Sequence, residues 1–116
     1  MAADGPRKNK PGEIELCQQT RNVIKQIDWD CELKTLFREE NLGCGKAISS
    51  AITWFFTYVE QGIILEDDCL PHPDFFPYCH ELLEKYKDND HIMSISGNNF
   101  QGGIERGNTS FYFSAF

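Results

Sequence analysis

The chain has no long apolar run. Its apolar stretches are broken within a turn or two of helix, whereas a membrane-spanning helix needs about 20 predominantly apolar residues. The start of the chain also lacks the charged end followed by an apolar stretch that marks a secretory signal. These absences predict a soluble, unsecreted, cytoplasmic protein without a membrane span.

Basic residues are scarce. The 11 Lys and Arg residues are outnumbered by 18 Asp and Glu residues, and the formal net charge is −7. Proteins that bind nucleic acids or anionic membrane surfaces normally carry a basic patch. The composition therefore argues against both kinds of partner, although a metal ion could still bridge an anionic ligand to an acidic protein.

Cysteine and histidine motifs are missing as well. The five cysteines form an odd set without a Cys-x-x-Cys pair, and His72, His80 and His91 have no metal-ligand spacing with them or with one another. We therefore expect neither a disulfide framework nor a zinc site, but reduced and mostly buried thiols. The glycines at 97, 102 and 103 could cradle a phosphate, but without a P-loop or dinucleotide fingerprint a flexible turn is the better interpretation.

The hydrophobic pattern predicts one layered α/β domain. Residues 1–12 are rich in Gly, Pro and charge and should form a loop. Helical periodicity marks residues 13–27, as a surface helix with one buried stripe, and residues 46–61. It also marks a third helix that Asp74 caps, with a buried face formed by Phe75, Phe76, Cys79, Leu82, Leu83 and Tyr86. Strands are predicted over residues 33–37, 63–65, 91–96 and 110–115, and a polar, glycine-rich final loop over residues 97–107. This order indicates βαβ crossovers and a largely parallel sheet.

The most informative segment joins an apolar strand to three acids, Glu66, Asp67 and Asp68. Ligands bind at the carboxyl ends of strands in open α/β sheets. Adjacent carboxylates repel one another, whereas Mg²⁺ or Mn²⁺ would keep them ionised and still coordinate phosphate oxygens and water. If the strand geometry persists, neighbouring acids point in opposite directions, so we expect one direct ligand. The alternative is a solvated loop with an acidic bias before a helix.

The acidic run has a wider context. Ile64-Leu65-Glu66-Asp67-Asp68, followed by Pro73-Asp74-Phe75-Phe76-Pro77-Tyr78, resembles the metal-binding segment of nucleotide-sugar glycosyltransferases of the GT-A fold. It is especially similar to the N-acetylglucosaminyltransferases that begin complex N-glycan branching. Three further segments resemble family 2 members of this fold: Ala3-Asp4-Gly5, the Asn-x-Gly stretch Asn41-Leu42-Gly43, and Ser94-Ile95-Ser96-Gly97-Asn98-Asn99.

The resemblance implies a role for each matching residue. Asp68 would ligate Mn²⁺ or Mg²⁺, and Glu66 and Asp67 would contact the sugar and ribose of the donor. Asp4 would recognise the nucleotide base, and Lys46 would approach the phosphates. Residues 1–116 would then form a partial GT-A, Rossmann-like domain that binds a nucleotide-diphospho-sugar.

Parts of the family pattern are not matched. The first strand of the fold should precede Asp4. The catalytic base is expected beyond Phe116, because the final loop contains a single acid, Glu105, and an acid in such a loop is more often solvated than catalytic. We therefore expect an excised piece, inactive alone, of an enzyme that glycosylates a glycan or another hydroxyl acceptor. Exposed sheet edges would favour self-association. The alternatives are a non-catalytic nucleotide-sugar or metal-binding module and an acidic α/β interaction domain.

Overall fold

A computed structural model of the chain describes residues 1–98, 102, 104 and 111. The chain divides into two compact units, Met1–Gln61 and Gly62–Phe116, and each is described by itself. Among the described residues no helix combines the length and the apolar character needed to cross a membrane. Helices together with a small parallel sheet make this a mixed α/β chain.

The first unit is built on one parallel strand pair. Strand β1 (Ala2–Ala3) lies beside strand β2 (Leu36–Phe37), with Ala2 opposite Leu36 and Ala3 opposite Phe37. The intervening chain forms helix α1 (Glu13–Arg21) and a 3₁₀ turn (Asn22–Gln26), because parallel strands can be joined only by a crossover. The predicted helix over residues 13–27 is thus confirmed as α1 and the 3₁₀ turn, and β2 confirms the end of the strand predicted over residues 33–37. The pairing is parallel, as predicted, but β1 was not predicted and the repeated βαβ crossovers are not confirmed. The prediction of a loop over residues 1–12 is wrong at Ala2–Ala3.

Helix α1 is held at its start by an ion pair. The Arg7 backbone N–H donates to Glu13 Oε2 at 2.7 Å, and its guanidinium donates to Glu13 Oε1. These bonds from Arg7 hold the pKa of the Glu13 carboxyl below its ordinary value. The predicted buried stripe of this helix is wrong, since no α1 residue is buried and Ile14 is 70% exposed.

Arg21 fastens the end of α1 to the ends of both strands. Its Nη2 donates to the Arg38 carbonyl and, at 3.4 Å, to the Asp4 carbonyl. Its guanidinium carbon also lies 5.3 Å from the centre of the Phe37 ring, within reach of a cation–π contact. The side chain therefore fixes where the chain leaves β1 and β2.

Helix α2 (Cys44–Phe55) follows β2. It confirms the helix predicted over residues 46–61 but ends earlier, where the Thr57 and Tyr58 amides donate to the carbonyls of Trp54 and Phe55 at 3.1 and 3.0 Å. The Thr57 hydroxyl donates to the same Trp54 carbonyl at 2.7 Å. Side chains that bond to nearby carbonyls in this way compete with helix continuation.

The second unit contains helix α3 (Phe75–Tyr86). Cys79 and Leu82 are each 5% exposed and form the buried apolar core of the part of the chain that the structure describes. Phe76 is instead 46% exposed, so its predicted place on the buried face of the helix is wrong. Burial raises the pKa of the Cys79 thiol. The helix is confirmed, but capping by the Asp74 side chain is wrong: Asp74 has helical backbone angles and makes no side-chain cap bond, and its N–H donates to His72 Nδ1 at 3.3 Å.

Two predicted strands of the second unit are wrong. Residues 63–65 and 91–96 are described throughout and belong to no strand. An apolar run becomes a strand only where another strand accepts and donates its backbone hydrogen bonds, which composition does not reveal. The strand predicted over residues 110–115 lies outside the described residues except for Phe111, and the loop predicted over residues 97–107 lies largely outside them.

The cysteines are less buried than predicted. Cys31, Cys44 and Cys69 are exposed and Cys17 is half-buried, so Cys79 alone of the five is buried. The expectation of mostly buried thiols is therefore wrong. Its physical reason is the small core, which has room for few side chains besides Cys79 and Leu82.

Candidate functional site

The three acids of the second unit lie on a tight turn. The Cys69 N–H donates to the Glu66 carbonyl at 3.1 Å, which closes a four-residue turn with Asp67 and Asp68 at its centre. We call Glu66–Cys69 the carboxylate turn. All three acidic side chains are exposed, so they point into solvent rather than into a core.

The turn changes how the acids are presented. Neighbouring carboxylates point in opposite directions only along a continuing strand, but the chain is already turning at Asp67 and Asp68. Consecutive residues of a turn are not restricted to the two faces of a sheet. More than one carboxylate of the turn can therefore serve the same ligand.

No described cation neutralises the carboxylate turn. Glu66, Asp67 and Asp68 form no ion pair with a Lys, Arg or His side chain in the described part of the chain. The Cys69 thiol lies beside Asp68, with its sulfur 3.7 Å from Asp68 Oδ1. Three carboxylates within one turn repel one another, and a divalent cation would relieve that repulsion.

The turn is not a complete metal cage. Over residues 1–98 and the three isolated described positions, no group of three or more His, Cys, Asp or Glu side chains is arranged to hold an ion. Mg²⁺ commonly takes only one or two carboxylates from the protein and fills its other positions with water and substrate phosphates. The carboxylate turn has the donor chemistry for that second kind of site, with Asp68 as the predicted ligand.

Asp4 lies directly after β1 and is the most heavily bonded carboxylate described. Its Oδ1 accepts from the N–H groups of Gly5 at 2.9 Å and Leu42 at 3.0 Å. Its Oδ2 accepts from the N–H groups of Leu42 at 3.1 Å and Gly43 at 3.2 Å, and from Asn41 Nδ2 at 3.0 Å. The Asp-Gly and Asn-x-Gly segments are thus parts of one hydrogen-bonded structure.

The loops that follow the two strands run side by side. The Asn41 N–H donates to the Pro6 carbonyl at 3.3 Å, and Asn41 Nδ2 donates to the Gly5 carbonyl at 3.2 Å. Gly5 is buried, and a Cβ on it would lie 2.5 Å from the backbone of Glu40. Only glycine fits there without moving one of the loops.

Lys46 lies in the first turn of α2, beyond this paired loop. Its side chain is exposed and forms no ion pair among the described residues. Its backbone is fixed, since the Ser50 hydroxyl donates to the Lys46 carbonyl at 2.7 Å and accepts from Arg38 Nη2 at 2.7 Å. An exposed cation at the start of a helix is placed to meet an anionic ligand.

The predicted site residues lie in different units. Asp4 and Lys46 belong to the first unit and are linked through residues 41–43, whereas Glu66, Asp67 and Asp68 belong to the second. Sequence reasoning did not foresee Asn41, Leu42 and Gly43 as the bonding partners of Asp4. The feature of the sequence that could have indicated this contact is the presence of an Asp-Gly and an Asn-x-Gly segment, one after each strand.

The segment after α3 packs against the start of that helix. A Cβ on Gly97 would lie 2.5 Å from Cε2 of Phe75, so the Gly97 backbone rests on the ring of the first α3 residue. This contact links Gly97, which belongs to one of the segments that resemble family 2 glycosyltransferases, with the helix that follows the carboxylate turn. Asn99 and Glu105 lie outside the described residues.

Comparison of the chain with protein-family models, with curated proteins and with solved structures gives no match.

Proposed function

We propose that this chain is the donor-binding part of a metal-dependent, GT-A-type glycosyltransferase, a Rossmann-like α/β domain that binds a nucleotide-diphospho-sugar. The observation that carries the proposal is the carboxylate turn: three exposed acids on a closed turn, with no described cation paired to them. The resemblance of Glu66-Asp67-Asp68 and the following helix start to the metal segment of that family supports it. So does the direct contact between the Asp-Gly and Asn-x-Gly segments.

In this proposal Asp68 ligates Mn²⁺ or Mg²⁺, and Glu66 and Asp67 orient the metal-bound water and the sugar and ribose hydroxyls. Transfer of the sugar leaves a nucleoside diphosphate, and the cation stabilises the negative charge that develops on the departing oxygen. Lys46 adds a second positive charge for the phosphates. The sugar is transferred to a hydroxyl group of the acceptor.

The competing interpretation is that the turn is a solvated acidic loop on an interaction domain. A solvated loop binds divalent ions weakly and without preference for a nucleoside diphosphate. A metal site of the proposed kind binds metal and diphosphate together, because each completes the coordination of the other. Cooperative binding of the two therefore separates the interpretations.

Isothermal titration of UDP and of GDP into the chain, with and without Mn²⁺, tests the proposal. We expect Mn²⁺-dependent binding of at least one nucleotide, and a loss of at least about 100-fold in affinity in Asp68→Ala, since even outer-shell changes at metal sites cost about 10–100-fold. Asp90→Ala is the matched control, because Asp90 is another exposed acid of the second unit. Equal affinities of Asp68→Ala and Asp90→Ala, or no Mn²⁺-dependent binding, would contradict the proposal.

A further inference from the structure

Resting on the proposed function, we infer that Asp4 is a positioning residue: its carboxylate fixes the loop 41–43 and the start of α2, and does not contact the nucleotide base. The resemblance assigns base recognition to this residue. Its hydrogen bonds favour a different role.

The acceptor capacity of Asp4 is filled by the protein. An ionised carboxylate offers about four lone-pair sites. Four donors occupy them: the N–H groups of Gly5, Leu42 and Gly43, and the Nδ2 amide of Asn41, all within 3.2 Å. A base N–H would have to displace one of these donors, and a displaced backbone N–H of this half-buried loop would lose its bond.

The bonds converge on the entry to α2. Gly43 is the residue before the helix and has φ 77° and ψ 155°, a backbone conformation that residues with side chains rarely adopt. Its N–H and that of Leu42 are tied to Asp4, so the carboxylate sets where the helix begins. Lys46 follows within the first helical turn, and its position therefore depends on Asp4.

The close approach at Gly5 supports the same role. The loops after β1 and β2 touch backbone to backbone at Gly5 and Glu40, which places the Asp4 carboxylate against the amides of the second loop. A residue that reads a ligand needs free acceptor sites facing solvent. Asp4 instead faces the neighbouring loop with both oxygens.

Amide hydrogen exchange by NMR on the ¹⁵N-labelled chain tests the inference without any ligand. In Asp4→Asn an amide NH₂ replaces one acceptor oxygen and opposes backbone donors. We expect exchange at Leu42 and Gly43 to accelerate by at least about tenfold, the equivalent of one charge-assisted hydrogen bond. Asp30→Asn, an exposed acid of the same unit with the same charge change, should leave both amides unchanged. Unchanged exchange in Asp4→Asn would overturn the inference.

Asn41→Ala covers the case in which Asp4→Asn unfolds the first unit. It removes one donor from the carboxylate and leaves the backbone bonds in place. We expect amide exchange to accelerate at Leu42 and Gly43 alone, and by less than in Asp4→Asn. Unchanged exchange at both amides in Asn41→Ala would again overturn the inference.

Nucleotide titrations supply the readout that separates positioning from base contact. Uracil carries an N3–H group that can donate a hydrogen bond to a carboxylate, whereas N3 of cytosine carries no hydrogen and is an acceptor. With Mn²⁺ present and the protein folded, a positioning role predicts that Asp4→Asn weakens UDP and CDP by the same factor. It also predicts that Asp4→Asn adds no further loss to Lys46→Met. A change in the UDP-to-CDP preference would overturn the inference. If the unaltered chain binds none of UDP, CDP and GDP, the proposed function fails, and the exchange result still decides whether Asp4 positions the loop.

Discussion

Replacing Gly5 by alanine tests the paired loops most directly. The added Cβ would lie 2.5 Å from two backbone atoms of Glu40 and 2.7 Å from the Glu39 carbonyl carbon. Real Cβ atoms essentially never lie within 3.0 Å of such an atom, so the loops must separate by at least about 0.5 Å or hold the overlap as strain. Backbone atoms cannot rotate aside as the end of a flexible side chain can.

The cost can be worked out from either response. Overpacking a tight site costs about 1–3 kcal/mol. Separation would instead stretch the bond from Asn41 Nδ2 to the Gly5 carbonyl, now 3.2 Å, and the bond from the Asn41 N–H to the Pro6 carbonyl, now 3.3 Å, beyond hydrogen-bonding distance. Two lost bonds amount to about 2 kcal/mol. The two costs are alternatives, so we expect a destabilisation of about 2–3 kcal/mol.

Thermal unfolding followed by circular dichroism measures this change. One kcal/mol shifts the midpoint of a domain of this size by about 4–8 °C, so Gly5→Ala should lower it by about 10 °C or more. Gly45→Ala is the control, because a Cβ there meets nothing within 4 Å. Gly45 is helical, and alanine should raise the midpoint slightly by restricting the unfolded chain. A midpoint in Gly5→Ala that is unchanged or raised would refute the close approach of the two loops.

Two further changes test other parts of the chain. Glu13→Gln should lower the unfolding midpoint at neutral pH relative to Glu15→Gln, the exposed acid of the same helical turn, because Glu13 alone accepts from Arg7. The pKa of Glu13 is lowered in the folded state, so Glu13 stabilises the fold at pH values above its unfolded pKa of about 4.3. This stabilisation disappears as the pH falls through the folded pKa. A difference in unfolding midpoint between the two variants that persists in strong acid would contradict this origin. Leu82→Ala should lower the free energy of unfolding in urea by about 2–5 kcal/mol, because Leu82 is 5% exposed. Leu70 is 98% exposed, so Leu70→Ala should change the free energy of unfolding by less than about 0.5 kcal/mol. Equal effects at the two leucines would show that Leu82 is not part of a core.

The helices could be predicted from the sequence because their pattern is local. Apolar residues recur every three or four positions in α2, and this spacing was sufficient to identify the helix. Its end could not be predicted, because it depends on the Thr57 hydroxyl reaching the Trp54 carbonyl. The prediction that Asp74 caps α3 was wrong because an ordinary N-cap residue has non-helical backbone angles. Asp74 has helical angles, which its sequence context does not reveal.

The strands and the site depend on distant partners. Residues 63–65 have strand composition but no described strand pairs with them. Asp4 and Asn41 were each singled out from weak motifs, yet their contact follows from the parallel register of β1 and β2, which no local pattern encodes. The acids of the carboxylate turn were found because they are adjacent in sequence. Their presentation on a turn rather than at a strand end was not foreseen.

The bonds to the Asp4 carboxylate also bear on how the first unit folds. They join positions 37 to 39 residues apart in sequence, whereas the bonds within α1 and α2 close after four. A long loop must lose its conformational freedom before such distant bonds contribute, and contacts of this kind slow folding. The helices can therefore form early, and the pairing of the two strand-end loops is the step that joins them into a cooperative whole. A chain interrupted between α1 and β2 would keep every local pattern described above and lose the connection that makes that step efficient.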